Sequence, residues 1–104
     1  MKNILSIKRR PSTAGEILAN EYLKPYGLTQ LELSELMGVC RRTVHEICNN
    51  KRGITAYTAL ILSRVFTEPA EYWLDLQQKS DMWSALNDPE KREKIKKARK
   101  ATRK

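Results

Sequence analysis

Apolar residues recur along this chain at intervals of three and four, the spacing that gathers side chains on one face of an α-helix. No run of β-branched and aromatic residues alternates with polar ones over four or more positions, so strands are not expected. Ser12 or Thr13 can cap a first helix carrying Ile17, Leu18, Tyr22 and Leu23, with Glu16 placed as the reciprocal acid of a capping box. Pro25 and Gly27 are expected to end it. Thr29 caps a short second helix, QLELSELM, whose Leu33, Leu36 and Met37 share a face. Gly38 stops that helix, and only Val39 separates it from a new start at Cys40. Two helices joined by a tight glycine turn predict a helix-turn-helix.

The third helix runs into NNKRG, where Asn49 or Asn50 can adopt the left-handed cap. A fourth is predicted from about Thr55 to Phe66, burying a stripe of Leu60, Ile61, Arg64 and Val65. Pro69 suits the first turn of a fifth. That helix presents Tyr72, Trp73, Leu76, Trp83 and Leu86, and Asp88 and Pro89 are expected to close it. The predicted architecture is all-α: five helices in one domain over residues 12–87, with a basic arm at 1–11 and a basic tail at 88–104.

On the third helix, Val44, Ile47 and Cys48 fall together as the core face at 100° per residue. The opposite face is centred on Arg42, with His45, Glu46 and Asn49 beside it and Arg41 and Thr43 on its flanks. These are the side chains that read base edges: Arg pairs with guanine, Asn with adenine, and Glu accepts from cytosine. Alternatively, Arg42 and Glu46, four apart, pair with each other on a solvated face. The helix-turn-helix context favours base contact by Arg41, Arg42, Thr43, His45, Glu46 and Asn49. Thr29 and Gln30, at a helix N-terminus, and Lys51 and Arg52, behind the third helix, suit DNA phosphates.

Charge sharpens this picture. The chain carries a net +8, yet residues 88–104 hold nine Lys or Arg against three Asp or Glu. Residues 1–10 hold four basic residues and no acid, which leaves the central region at −2. Basic ends on a near-neutral domain point to a polyanionic partner.

Other chemistries fit poorly. Cys40 and Cys48 lie eight apart on one helix, roughly 12 Å at 1.5 Å per residue, too far for a disulfide. His45 projects away from Cys48, so no metal site is expected. It is also the only histidine and has no nucleophile at a fixed offset, so neither an enzyme nor a cofactor is predicted. No apolar run spans a membrane. The apolar patch in MKNILSIKRRP precedes its positive charges, the reverse of a secretory signal, so a cytoplasmic location and reduced cysteines are expected.

The stretch GEILANEYLKPYGLTQLELSELMGV, the helix RRTVHEI, the NNKRGITAYTAL junction and the block EYWLDLQ resemble the HigA antitoxin family. This VapI-like family lies within the lambda-repressor-like helix-turn-helix class, and the resemblance covers about residues 11–86. It implies a homodimeric antitoxin that binds a palindromic operator in double-stranded DNA and represses its own operon. The same resemblance implies that it neutralises a HigB-like toxin, an mRNA endonuclease of the RelE-like class. Gln30, Arg41, Arg42, Thr43 and His45 match DNA-facing positions, and the fifth helix, with Trp73, Leu76, Trp83 and Leu86, matches the dimerisation segment, the alternative, for Trp73 in particular, being core packing against the first and fourth helices. Cys40 stands where the family has Ser or Thr. Two alternatives stay open: a free-standing helix-turn-helix regulator without a toxin, and an RNA-associated module driven by the basic tail.

Overall fold

The computed structural model describes residues 9–103, and among them every regular element is a helix. The first, α1, runs unbroken through Ala14–Ile17, Leu18–Leu23 and Lys24–Tyr26. It is followed by α2 (Gln30–Met37), α3 (Arg41–Cys48), α4 (Ala56–Val65), α5 (Ala70–Leu86) and α6 (Pro89–Lys97). Most of the proposed basic arm, residues 1–8, lies outside the described residues.

Local chemistry sets the starts. Thr13, Thr29, Thr55 and Asp88 each accept a backbone N–H of the following turn with a side-chain oxygen, satisfying donors that a helix leaves unpaired. The reciprocal box is complete at Thr29 and Glu32, with both bonds at 3.0 Å. At α1 the expected reciprocal acid does something else: Glu16 pairs with Arg10 at 2.9 Å. Pro25, expected to help end this helix, sits inside it, and the chain leaves the helix at Gly27. Pro25 has no N–H to give to the turn before it, and the preceding Leu18–Leu23 segment takes π-helical bonding. The wider turn lets Leu18, Tyr22 and Leu23 all face inward.

The core gathers where α1 to α5 converge, around the fully buried Leu18, Leu33, Val44, Ile47, Leu62 and Trp73. Trp73 lies against Tyr22 at 4.8 Å and Tyr72 at 5.1 Å between ring centroids, separations typical of favourable aromatic pairs. With 0% of its surface exposed, Trp73 is a core residue of the single chain. Its expected place in a dimer interface is therefore corrected.

Two further expectations change. In α4 the buried stripe is Ala59, Leu62 and the cap residue Phe66, with Ile61 and Val65 at its edge; Leu60 is 59% exposed and Arg64 faces solvent. Apolar residues surround α4 on most sides, so spacing alone does not set its rotation. The basic tail adds a sixth helix to the five expected. Asp88 and Pro89 close α5 and at once start a sixth helix: Asp88 Oδ1 accepts from Glu90 N–H at 3.0 Å and Lys91 N–H at 3.2 Å. Among the described residues no helix is long and apolar enough to cross a membrane.

Candidate nucleic-acid interface

The presentation of α3 begins with the turn before it. Gly38 adopts φ 70°, a left-handed conformation open to glycine at low cost. Its N–H reaches Glu35 O at 3.3 Å, and Val39 N–H reaches Ser34 O at 3.0 Å, closing the carbonyls at the end of α2. The chain then starts α3 without a linker. Val44 and Ile47 anchor α3 in the core, Cys48 is half-buried beside them, and the opposite face turns outward.

A second device sets the depth of α3. Gly15, in the first turn of α1, lies so close to the end of α3 that an added Cβ would stand 2.0 Å from Ile47 O and 3.1 Å from Asn50 Oδ1. Thr13 adds a hydrogen bond from its hydroxyl to Asn50 Oδ1. Asn50, rather than Asn49, takes the left-handed position, at φ 61°. Beyond it, the N–H groups of Lys51 and Arg52 both reach Glu46 O, at 2.8 and 3.2 Å. The following segment is tied down by Gln77 of α5, whose Oε1 accepts from Ile54 N–H at 2.8 Å. Gly15 and Gln77 carried no recognisable sequence signal, because each matters through a residue distant in the chain.

The outward face holds two clusters. In one, Glu46 meets Arg52 at 2.7 Å and Arg42 at 3.5 Å. The Arg52 hydrogen bond, aided by the charges of Arg52 and Arg42, holds the Glu46 carboxyl below its ordinary value. The pairing foreseen as an alternative to base contact is thus present, yet the Arg42 side chain remains 83% exposed. Glu46 orients the arginine without covering it. In the other cluster, Gln30 Oε1 lies 3.2 Å from His45 Nδ1, linking α2 to α3, and Asn49 Nδ2 donates to His45 O at 2.8 Å. Arg41 is exposed and Thr43 half-buried at the start of the helix.

Phosphate-directed candidates flank this face. Thr29 is exposed, but its hydroxyl oxygen and N–H serve the capping box. Gln30 is half-buried, whereas Lys51 and Arg52 are exposed just behind α3. Cys40 makes no side-chain cap bond to α3. Its thiol lies 3.2 Å from Thr43 Oγ1, and this contact lowers its pKa, while burial raises that of Cys48. Leu76, Trp83 and Leu86 are half-buried along α5.

The helix-turn-helix family model matches residues 20–73, from α1 through the turn to Trp73. Antitoxin HigA-1 of Vibrio cholerae is 40% identical over 80 residues, 77% of this chain and 75% of that protein. The chain belongs to the HigA family of helix-turn-helix proteins. Members of the HigA family are DNA-binding antitoxins and regulators, not enzymes. A second relative, the Escherichia coli HTH-type transcriptional regulator YbaQ, is 39% identical over 84% of this chain and 77% of its own. Among solved structures, antitoxin GraA in complex with its operator superposes with a TM-score of 0.81 at 31% identity, covering 99% of both chains. The helix-turn-helix match contains Gln30 and the whole outward face of α3, whereas α6 lies beyond it.

Proposed function

We propose that this chain is an operator-binding antitoxin. As a homodimer it reads a two-fold related DNA site, represses its own operon and neutralises a HigB/RelE-like mRNA endonuclease by binding it. The observation that carries the DNA reading is the outward face of α3, where Arg42 is exposed and held by Glu46. The kinship with HigA-1 and with operator-bound GraA supports both halves of the proposal.

In this reading Arg41, Arg42, Thr43 and His45 meet base edges at the N-terminal and central turns of α3, with Asn49 at its end. Glu46 aligns Arg42 and is itself available to a cytosine amino group. Thr29, Gln30, Lys51 and Arg52 meet phosphates on either side. Leu76, Trp83 and Leu86 supply the dimer contact, placing two copies of α3 on half-sites about 34 Å apart or a multiple of it. A cytoplasmic location accompanies this role.

One experiment divides the possibilities. The tagged chain is expressed with the product of its neighbouring gene, the pair is co-purified, and each is tested on duplex DNA from its own promoter. A stoichiometric small partner whose RNA cleavage is suppressed on binding, together with operator binding, is expected. Operator binding without a partner would overturn the antitoxin half and favour a free-standing regulator. Failure to bind promoter DNA at low salt would overturn the DNA half.

A further inference from the structure

The helix-turn-helix does not account for the greatest concentration of charge. Residues 88–104 hold nine of the chain's Lys and Arg with three acids, and the first part of this segment is folded as α6. We propose that α6 and the residues after it form a second, sequence-independent contact to duplex DNA, on the phosphate backbone outside the half-site read by α3. This rests on the DNA-binding reading above.

Three observations carry it. The first is the distribution of charge around α6. At 100° per residue, Lys91, Arg92, Lys94 and Lys96 share a broad arc that contains no acid, with Ile95 in its midst. Glu90 and Glu93 fall on the remaining arc with Lys97. Every residue of the helix from Glu90 onward is exposed, and the ion pair of this helix among the described residues is a long one, Lys96 to Glu93 at 3.8 Å. Among the described residues the helix therefore presents Lys91, Arg92 and Lys94 outside any ion pair, and Lys96 in only this long one. Helices of this length are marginal alone in water, and a polyanion laid along the cationic arc relieves the repulsion that opposes this one.

The second is position. Lys51 and Arg52, behind the recognition helix, line the same polar hollow of about 330 Å3 as Gln77, Asp81 and Ser84 of α5. The C-terminal half of α5 thus lies beside the phosphate-directed loop, and α6 begins where that half ends. The cationic arc of α6 is thus joined directly to the helix that lines this hollow with Lys51 and Arg52.

The third is what the segment lacks. Residues 84–104 hold no aromatic side chain, so the segment offers no aromatic platform on which unpaired RNA bases could stack. Ile95 is its one exposed large apolar side chain, too little for the apolar centre of a protein interface. Duplex phosphates require neither.

The test uses the full chain with Lys91, Arg92, Lys94 and Lys96 each changed to Gln, after circular dichroism confirms that the bundle melts as before. Affinity is measured against operator duplex, a scrambled duplex of equal length and single-stranded RNA across a range of salt. The log–log salt slope on duplex should fall by ~2–4 units, so that raising salt fourfold costs the unaltered chain ~16–250-fold more affinity than the variant. Operator preference over the scrambled duplex should stay the same. An unchanged slope with intact operator binding overturns the α6 contact and leaves the proposed function standing, and so does a loss confined to RNA. If the unaltered chain shows no operator preference, the proposed function fails. The α6 contact is then read on the scrambled duplex, where the slope difference supports it and its absence overturns it.

Discussion

Glu46 stands between two arginines of unequal exposure, Arg42 at 83% and Arg52 at 51%. It grips the less exposed one more closely. The outer arginine is thereby aligned by charge while its guanidinium stays open to a base. Arg42→Ala should cost about 1–3 kcal/mol and relax preference at one base position. Affinities for a set of operators, each changed at a single position, measure this; an equal loss on all of them would assign Arg42 to a phosphate. Gly15 acts at the same scale with steric force. A methyl group there meets Ile47 O at 2.0 Å, so Gly15→Ala must push α3 away from α1. The expected loss is about 1–3 kcal/mol in chemical denaturation, accompanied by weaker operator binding because α3 no longer sits at its depth. Cys40→Ser restores an oxygen cap that the thiol does not supply, and should raise stability by about 0.5–1 kcal/mol.

Helix starts illustrate what can be read one element at a time. Thr13, offered together with Ser12, and Thr29 are legible as caps, since a cap depends on residues within one turn; Thr55 is legible only as the approximate start of a helix. The Thr29 and Glu32 box also carries a pH dependence. The Thr29 N–H and hydroxyl hold the Glu32 carboxyl below about 4.5, so its contribution is present above that value and fades as pH falls through the depressed one. Glu32→Gln keeps an acceptor for Thr29 N–H but removes the titration. The acid side of its melting-temperature profile should be flatter than that of the unaltered chain; identical profiles would show that the box contributes nothing to acid stability. Where elements meet, the sequence was less informative. The rotation of α4 departs from the expected stripe at Leu60 because apolar residues surround the helix, and the core, not the spacing, selects Ala59 and Leu62. The start of α6 is itself a local signal: Asp-Pro-Glu both ends one helix and opens another.

At the scale of the molecule, α5 separates two roles that the sequence had merged on one face. Trp73 is sealed against Tyr22 and Phe66, whereas Trp83 and Leu86 remain half-exposed toward its far end. Trp73→Ala should therefore destabilise the fold by about 3–5 kcal/mol. Trp83→Ala should instead leave the monomer folded and weaken self-association. Thermal melts together with sedimentation of both variants distinguish these outcomes, and a Trp83 variant that melts like the Trp73 variant would remove Trp83 from the dimer contact.

The sequence by itself determined the all-helical class, the turn at Gly38, the outward face of α3 and the basic ends. Each of these follows from spacing within a few residues or from composition. Only the tertiary structure decided that Trp73 is core, that Gly15 and Gln77 hold the recognition helix and its exit loop, and that Glu46 is shared by two arginines. Those facts depend on which distant atoms come within a few ångströms of one another, and helical periodicity carries no information about such meetings.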